Sequence, residues 1–511
     1  MNAANRVAKN TGILYIRMSI TVFISLYSTR LILAGLGSQD FGIFNLVGGI
    51  ISMLGFLNNS MTAATQRFIA VAQGACDFVK VNVIFNISIR LHLFIGIMVV
   101  LFFQVIGYYI FGHVLNIAPE RVSTAKLIFQ FMVLSTFFTI ISVPYEALIT
   151  SNENMLFYAV EGIVEAVLKL AIAFVITSTK FDHLGLYGLL IASLSILLLI
   201  VRRIYCHYKY PECRIHLRGG FDKNIFVSMT SFAGWSLLGT VSSMLTIYGQ
   251  GFLVNIFFGT IVNAAQGVAN QLAGQLSALS TTLIKALNPI INKSEGAGNR
   301  ELGLKAAMMG GKISFFLLLL FFVPFMIEMP YILKLWLKNV PNYTVIFCRL
   351  LLVKILLEQM VFPLFSAISA VGNIKRLQIS LSTVAIFPLI ITYILFKFNF
   401  PPYALYYIFI LYAIATGMVL LFFSIKYCNL SLSVFFSNVI FRCFSSLFFI
   451  ALISYSSFYF LKEGPIQLIV VVVSSFLSLL TFAFIIGFSN QERILLTNIV
   501  LKIAKKIHLL K

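Results

Sequence analysis

The stretch "ILYIRMSITVFISLYSTRLIL", residues 13–33, is apolar and long enough to cross a bilayer, yet it carries Arg17 and Arg30. An arginine at the centre of such a helix costs roughly 2.5–3.5 kcal/mol on insertion scales, so each needs a chemical reason to be there. At roughly 100° per residue, Asn10, Thr21, Ser25 and Ser28 fall within about 80° of Arg17, whereas Arg30 lies about 220° round the helix. Arg17 therefore heads a polar stripe suited to an aqueous cavity, with a structural ion pair as the competing reading. Arg30, near the outer end and off the stripe, is expected to snorkel to the headgroups.

A second stripe follows. Asn45, Ser52, Asn59 and Gln66 recur every seventh residue, interleaved with Gly48, Gly49 and Gly55. Small residues permit close helix approach, while amides in an apolar span seek water or a polar ligand. A later span carries Gln266, Asn270, Gln271, Gln275, Thr281 and Lys285, with Gln271, Thr281 and Lys285 on one face. Hydrogen-bonding walls of this kind suit a hydroxyl-rich ligand.

Cations inside apolar spans (Arg17, Arg30, Arg90, Lys169, Lys285, Lys312, Arg349, Lys354 and Arg442) outnumber the acids, chiefly Glu146, Glu161, Glu165 and Glu358. Glu165 precedes Lys169 by one helical turn and Lys354 precedes Glu358 likewise, so each pair can neutralise itself. Glu165 and Glu358 are also the candidates for coupling to a proton or cation. The unpaired excess is cationic, and a cationic cavity attracts a polyanion such as a diphosphate. The ligand-facing candidates are Arg17, Arg90, Asn45, Ser52, Asn59, Gln66, Gln271, Lys285 and Lys312. Cysteines 76, 206, 213, 348, 428 and 443 form no CxxC or metal-ligand spacing, and no nucleotide-binding, metalloprotease or serine-hydrolase motif occurs.

The elements that position these residues are membrane-spanning helices. Of 511 residues, 60% are hydrophobic and 10% charged, with a mean hydropathy of +0.98. The expected fold is an all-α polytopic membrane protein, with spans at 11–34, 41–66, 84–111, 123–149, 155–178, 184–202, 225–257, 260–290, 311–335, 344–370, 377–398, 402–424, 434–460 and 465–488. The net charge of +21 is spread over loops rather than gathered in a basic domain, which argues against nucleic acid. With the N-terminus inside, basic residues of inside loops outnumber those outside by about three to one. Both termini are accordingly expected in the cytoplasm.

The chain repeats. One offset aligns Gly37 with Gly259, Gly74 with Gly296, Arg90 with Lys312, Tyr109 with Tyr331 and Pro119 with Pro341. A slightly shorter one aligns "VPYEALITSNEN" with "FPLFSAISAVGN". Two six-helix lobes with the same orientation follow, related by a pseudo-twofold along the membrane normal. The expected domains are an N-lobe at 1–203, a basic linker at 204–224, a C-lobe at 225–426, two further helices at 427–488 and a basic amphipathic tail at 489–511.

The stretch "STRLILAGLGSQDFGIFNLVGGIISMLGFLNNSMTAATQRFIAVAQG", from Ser28 to Gly74, resembles the opening of Wzx-type O-antigen flippases of the polysaccharide transporter family. That family belongs to the multidrug/oligosaccharidyl-lipid/polysaccharide exporter (MOP) superfamily. The resemblance implies a non-enzymatic transporter in the bacterial inner membrane. It would move undecaprenyl-diphosphate-linked oligosaccharide from the inner to the outer leaflet by alternating access through a central cavity. It implies no cofactor but a proton or sodium gradient, cavity arginines matched here by Arg17 and Arg90, and as partners membrane lipids, a polysaccharide polymerase and a chain-length regulator. The two helices beyond the twelve-helix core resemble those of fourteen-helix lipid II flippases. Lipid II or a capsule precursor is the nearest alternative cargo; a cation or drug exporter and a membrane-bound polymerase or ligase are more distant ones.

Overall fold

The computed structural model describes residues 3–52, 55–113, 119–179, 182–214, 222–337, 340–459, 464–494 and 497. The side chains of Arg30, Asn45, Ser52 and Asn59 lie outside what it describes, as does most of the tail. Regular structure among the described residues is helical throughout. The helices are α1 Ala3–Ser52, α2 Gly55–Gly74, α3 Phe78–His113, α4 Val122–Ser151, α5 Met155–Ser178, α6 His183–Lys209 and α7 Lys223–Gly296. They continue as α8 Arg300–Trp336, α9 Thr344–Val371, α10 Lys375–Lys397, α11 Ala404–Cys428, α12 Leu432–Phe435, α13 Arg442–Tyr459 and α14 Pro465–Phe482. A π-helical stretch, Phe436–Phe441, joins α12 to α13, and another, Ala483–Gly487, follows α14.

Nine of the described helical segments are long and apolar enough to cross a membrane, which makes this a multi-pass membrane protein. Helices α1, α5 and α9 carry Arg17, the Glu161–Glu165–Lys169 series and the Arg349–Lys354–Glu358 series. Helix α5 is strongly apolar apart from its three charged residues, so these charges sit within an otherwise membrane-like helix. Large apolar side chains such as Phe94, Phe102, Val105, Phe252 and Phe448 stand exposed on the helix bundles, as a lipid-facing surface requires.

Two boundaries are instructive. The sequence predicts a break between 257 and 260, and α7 leaves helical geometry at Gly259, with φ 75° and ψ −172°. That backbone region is essentially restricted to glycine. The sequence also predicts a turn at "LGSQDFG", but the backbone stays helical from Ala3 to Ser52. The stretch contains no proline, and a glycine inside a helix costs only about 1 kcal/mol.

The chain divides into two compact units, residues 10–237 and residues 1–9 with 238–511. The division falls inside α7, whereas the sequence suggests the basic stretch 204–224. That stretch begins as the last turns of α6 and is then tied back to α3. The Asn82 amide donates to the carbonyls of Glu212 (2.7 Å) and Arg214 (2.8 Å), and that of Asn86 to Arg214 (2.9 Å). The repeat is visible in the helix boundaries: the offset that aligns Arg90 with Lys312 also carries the start of α3 onto α8 and of α4 onto α9.

The 10–237 unit has a core of Phe103, Ile128, Phe129, Ala173, Ile176 and Leu184, which joins α3, α4, α5 and α6. Side-chain contacts tie α1, α4 and α6 together. Arg121 bridges Asp40 (3.1 Å) and Asp182 (2.9 Å), while the His183 ring nitrogens meet the carbonyls of Gly35 (2.7 Å) and Thr179 (2.9 Å). In the other unit α8, α9 and α11 enclose Phe315, Phe347, Leu405 and Tyr406.

Candidate functional site

Helix α5 is the spine of the site. Its start is fixed by Asn154, whose side-chain oxygen accepts from the Phe157 N–H (3.2 Å) and whose amide donates to the hydroxyls of Tyr205 (2.6 Å) and Tyr210 (3.0 Å). Phe157 stacks on Tyr205 at 3.7 Å. From this anchor, Tyr158, Glu161, Gly162, Glu165 and Lys169 follow at spacings of three and four, so they share one side of the helix.

Three cations meet that side. Arg202, from α6, donates through Nε to Glu161 (2.5 Å) and through Nη1 to the Ser142 hydroxyl (2.8 Å), with Glu146 at 3.5 Å. Lys169 donates to Glu165 at 2.7 Å. Arg17, from α1, lies with its guanidinium carbon 4.1 Å above the Tyr158 ring. Among the described residues it has no carboxylate partner.

Arg17 opens onto a cavity of about 500 Å³ lined also by Thr21, Ser25, Ser28, Gly162, Glu165, Lys169 and Tyr187. Thr21 and Ser28 donate their protons to carbonyls one turn back, at 3.1 and 2.8 Å, so their oxygens are left as acceptors. A second space of about 230 Å³, lined by Ser135, Thr139, Ser142, Glu146 and Arg202, shares Glu165, Lys169 and Ile191 with the first. The Glu165–Lys169 pair thus stands between a chamber whose guanidinium has no carboxylate partner among the described residues and one where Arg202 meets two carboxylates, Glu146 and Glu161.

The other unit presents a different surface. On the second half of α7, Gly267, Gln271, Gly274 and Thr281 are exposed at spacings of three, four and seven, with half-buried Lys285 continuing the row. A Cβ built at Gly267 or Gly274 would meet nothing within 4 Å. Glycine and hydroxyl residues at such spacing suit close helix packing, while an amide there seeks water or another polar group.

The structure therefore brings Arg17, its hydroxyl stripe, Glu165 and Lys169 together, and sets exposed Gln271 and half-buried Lys285 on one row of α7. Arg90 is half-buried on α3 and does not line the Arg17 cavity. Gln66 is buried, with its amide nitrogen unpartnered, and does not line it either. Lys312 is a correction. It is 1% exposed and ion-paired with Glu492, so it closes a contact inside its own unit instead of facing a ligand. Glu358 pairs with Lys354 at 3.0 Å. Tyr158, Gly162 and Arg202 escaped the sequence reading. Arg202 sits at the end of a predicted span and reads as a loop charge, and an aromatic or a glycine in an apolar helix reads as packing.

No protein-family model matches the sequence, and no curated protein matches it. Solved structures do. A MATE mutant covers 84% of this chain and 97% of its own at 15% identity, with a TM-score of 0.74. An outward-facing multidrug resistance MATE family transporter of the MOP superfamily covers 84% and 97% at 13% identity, with a TM-score of 0.69. A MOP superfamily transporter from Pyrococcus furiosus, with a binding pocket described as of reverse polarity, covers 94% of this chain and 94% of its own at 13% identity, with a TM-score of 0.57. At such identities the likeness is one of architecture, and the chain has the all-helical, multi-pass fold of the MATE transporters of the MOP superfamily.

Proposed function

We propose that this protein is a MOP-superfamily flippase that moves undecaprenyl-diphosphate-linked oligosaccharide from the inner to the outer leaflet of a bacterial inner membrane by alternating access. The observation that carries this reading is Arg17. It is a half-buried guanidinium in a cavity lined by hydroxyls and the Glu165–Lys169 pair, over the Tyr158 ring and without a carboxylate partner of its own among the described residues. A cation left unneutralised at that depth costs free energy unless it meets an anion during the working cycle, and a diphosphate is matched to a bidentate donor. The amide and glycine row on α7, in its own unit, offers the donors and acceptors that sugar hydroxyls need, since amides serve as both. Glu165 and Glu358, each beside a lysine, are the proposed points of coupling to a proton or sodium gradient. Polymerase and chain-length regulator remain the proposed partners, with both termini in the cytoplasm.

The multidrug transporter among the fold neighbours favours a second reading, export of an organic cation. Such a cargo calls for an acidic cavity. Here Glu165 is neutralised by Lys169, which leaves Arg17 as the excess charge. Proteoliposomes holding the full chain separate the two. Acceleration of undecaprenyl-diphosphate-oligosaccharide flipping supports the flippase, and transport of a cationic dye without such flipping overturns it.

A further inference from the structure

Arg17 is held by shape and by an aromatic face. A Cβ built at Gly162 would come within 2.1 Å of Arg17 Nε, 2.3 Å of Nη2 and 2.4 Å of Cζ. No side chain at position 162 is compatible with the guanidinium where it lies. One turn earlier on α5, the Tyr158 ring supports the guanidinium from below at 4.1 Å. Tyr158 is itself 9% exposed, so its ring is fixed by the surrounding packing.

We infer that Gly162 and Tyr158 are positioning residues for Arg17: the missing side chain at 162 admits the guanidinium to α5, and the tyrosine ring holds its charge centre in place. The geometry stands alone, but its consequence for transport rests on the flippase reading. The Nε–Nη2 edge lies against Gly162 and the guanidinium carbon lies over the Tyr158 ring, so the side chain is confined before any anion arrives. A long arginine side chain otherwise loses several rotatable bonds when it binds, and confinement removes part of that cost. The site is also specific for arginine. A lysine has no plane to lay on the ring and no edge to fit the notch.

Gly162→Ala is a mild probe, because the clashing atoms are the far end of a flexible side chain. Alanine keeps the helix, and the guanidinium leaves its place. The test uses the full chain in nanodiscs, with phenylglyoxal modification of Arg17 followed by mass spectrometry, inorganic pyrophosphate as the binding probe, and flipping measured in parallel. Gly162→Ala and Tyr158→Leu are each expected to raise Arg17 reactivity about fivefold, the order of one partly exposed cation–π contact. They are expected to weaken pyrophosphate binding and flipping roughly tenfold, the scale of one charge-assisted hydrogen bond. Tyr158→Phe keeps the ring face and should retain wild-type reactivity. In an Arg17→Ala background, Gly162→Ala should change binding and flipping by less than about twofold, since coupled residues do not add.

Unchanged Arg17 reactivity in both Gly162→Ala and Tyr158→Leu overturns the positioning role, whatever happens to transport. A Tyr158→Phe chain as reactive as Tyr158→Leu overturns the part assigned to the ring. Raised reactivity with unaltered flipping supports the positioning and overturns instead the diphosphate role of Arg17.

Discussion

The ammonium of Lys312, buried in α8, is paired with the carboxylate of Glu492 beyond the end of α14. Around this pair the chain after α14 is pinned at several points. Arg442 donates to the carbonyls of Ile486 and Phe488, both at 3.1 Å, and Arg493 to that of Phe488 at 3.0 Å. Gly487 lies against the Phe316 ring, where a Cβ would come within 2.4 Å. These contacts fasten α13 and α14 to α8 within their unit, and they make testable the reassignment of Lys312 from ligand contact to structural pair.

Breaking that pair from one side leaves a buried charge, at a cost of about 3–5 kcal/mol. Glu492→Gln should therefore lower the melting temperature at pH 7, and Lys312→Met combined with Glu492→Leu should recover much of the loss. Burial alone would raise the Glu492 carboxyl, but hydrogen bonds from Lys312 and Ser489 outweigh it and hold the group below its ordinary value of 4.5. A depressed acid contributes stability above its unfolded pKa and loses it as pH falls through the folded one. The gap between wild type and Glu492→Gln should accordingly close below about pH 4. A gap that persists there would show that the carboxylate's charge is not what holds the contact.

Arg17 and Arg30 should separate by function. Arg17→Ala is expected to reduce surface polysaccharide about ten- to hundredfold in a complementation assay at unchanged membrane levels, the equivalent of one charge-assisted contact of roughly 1.5–3 kcal/mol. Arg17→Lys should keep part of the activity and Arg30→Lys nearly all of it. A dead Arg30→Lys beside an active Arg17→Ala would mean that the wrong face of α1 has been assigned to the cavity.

Coupling is tested at the two glutamates beside lysines. Glu165→Gln or Glu358→Gln should lower transport at normal expression if that carboxylate carries the driving ion. Removing acid and base together, as Glu165→Gln with Lys169→Gln or Glu358→Gln with Lys354→Gln, should restore activity where the pair is only structural. Full activity in both single variants would remove coupling from both sites.

Topology follows from the distribution of basic residues. Reporter fusions at residues 213 and 505 should give cytoplasmic signals and those near 38 and 340 periplasmic ones. The Asn82 and Asn86 contacts that tie residues 212–214 to the start of α3 require both segments on one side. A periplasmic signal at 213 would refute the charge-based orientation.

The membrane class, the helical architecture, the break at Gly259, the repeat and the Arg17 stripe are legible in the sequence. Each depends on local or periodic information: apolar length, a glycine where positive φ is needed, and a regular angle between successive side chains. The pairs Glu165–Lys169 and Lys354–Glu358 are legible for the same reason, since one helical turn sets their separation. Other features depend on which helices become neighbours. Lys312 and Glu492 are separated by most of a lobe, and nothing in either flank identifies the other. Arg202 reads as a loop charge until α4 and α5 bring Ser142, Glu146 and Glu161 to it. Gly162 reads as a helix-packing glycine until α1 lays a guanidinium across it. Sequence periodicity fixes the direction in which a side chain leaves its own helix; what it meets there is set by packing between helices, and only the tertiary structure holds that information.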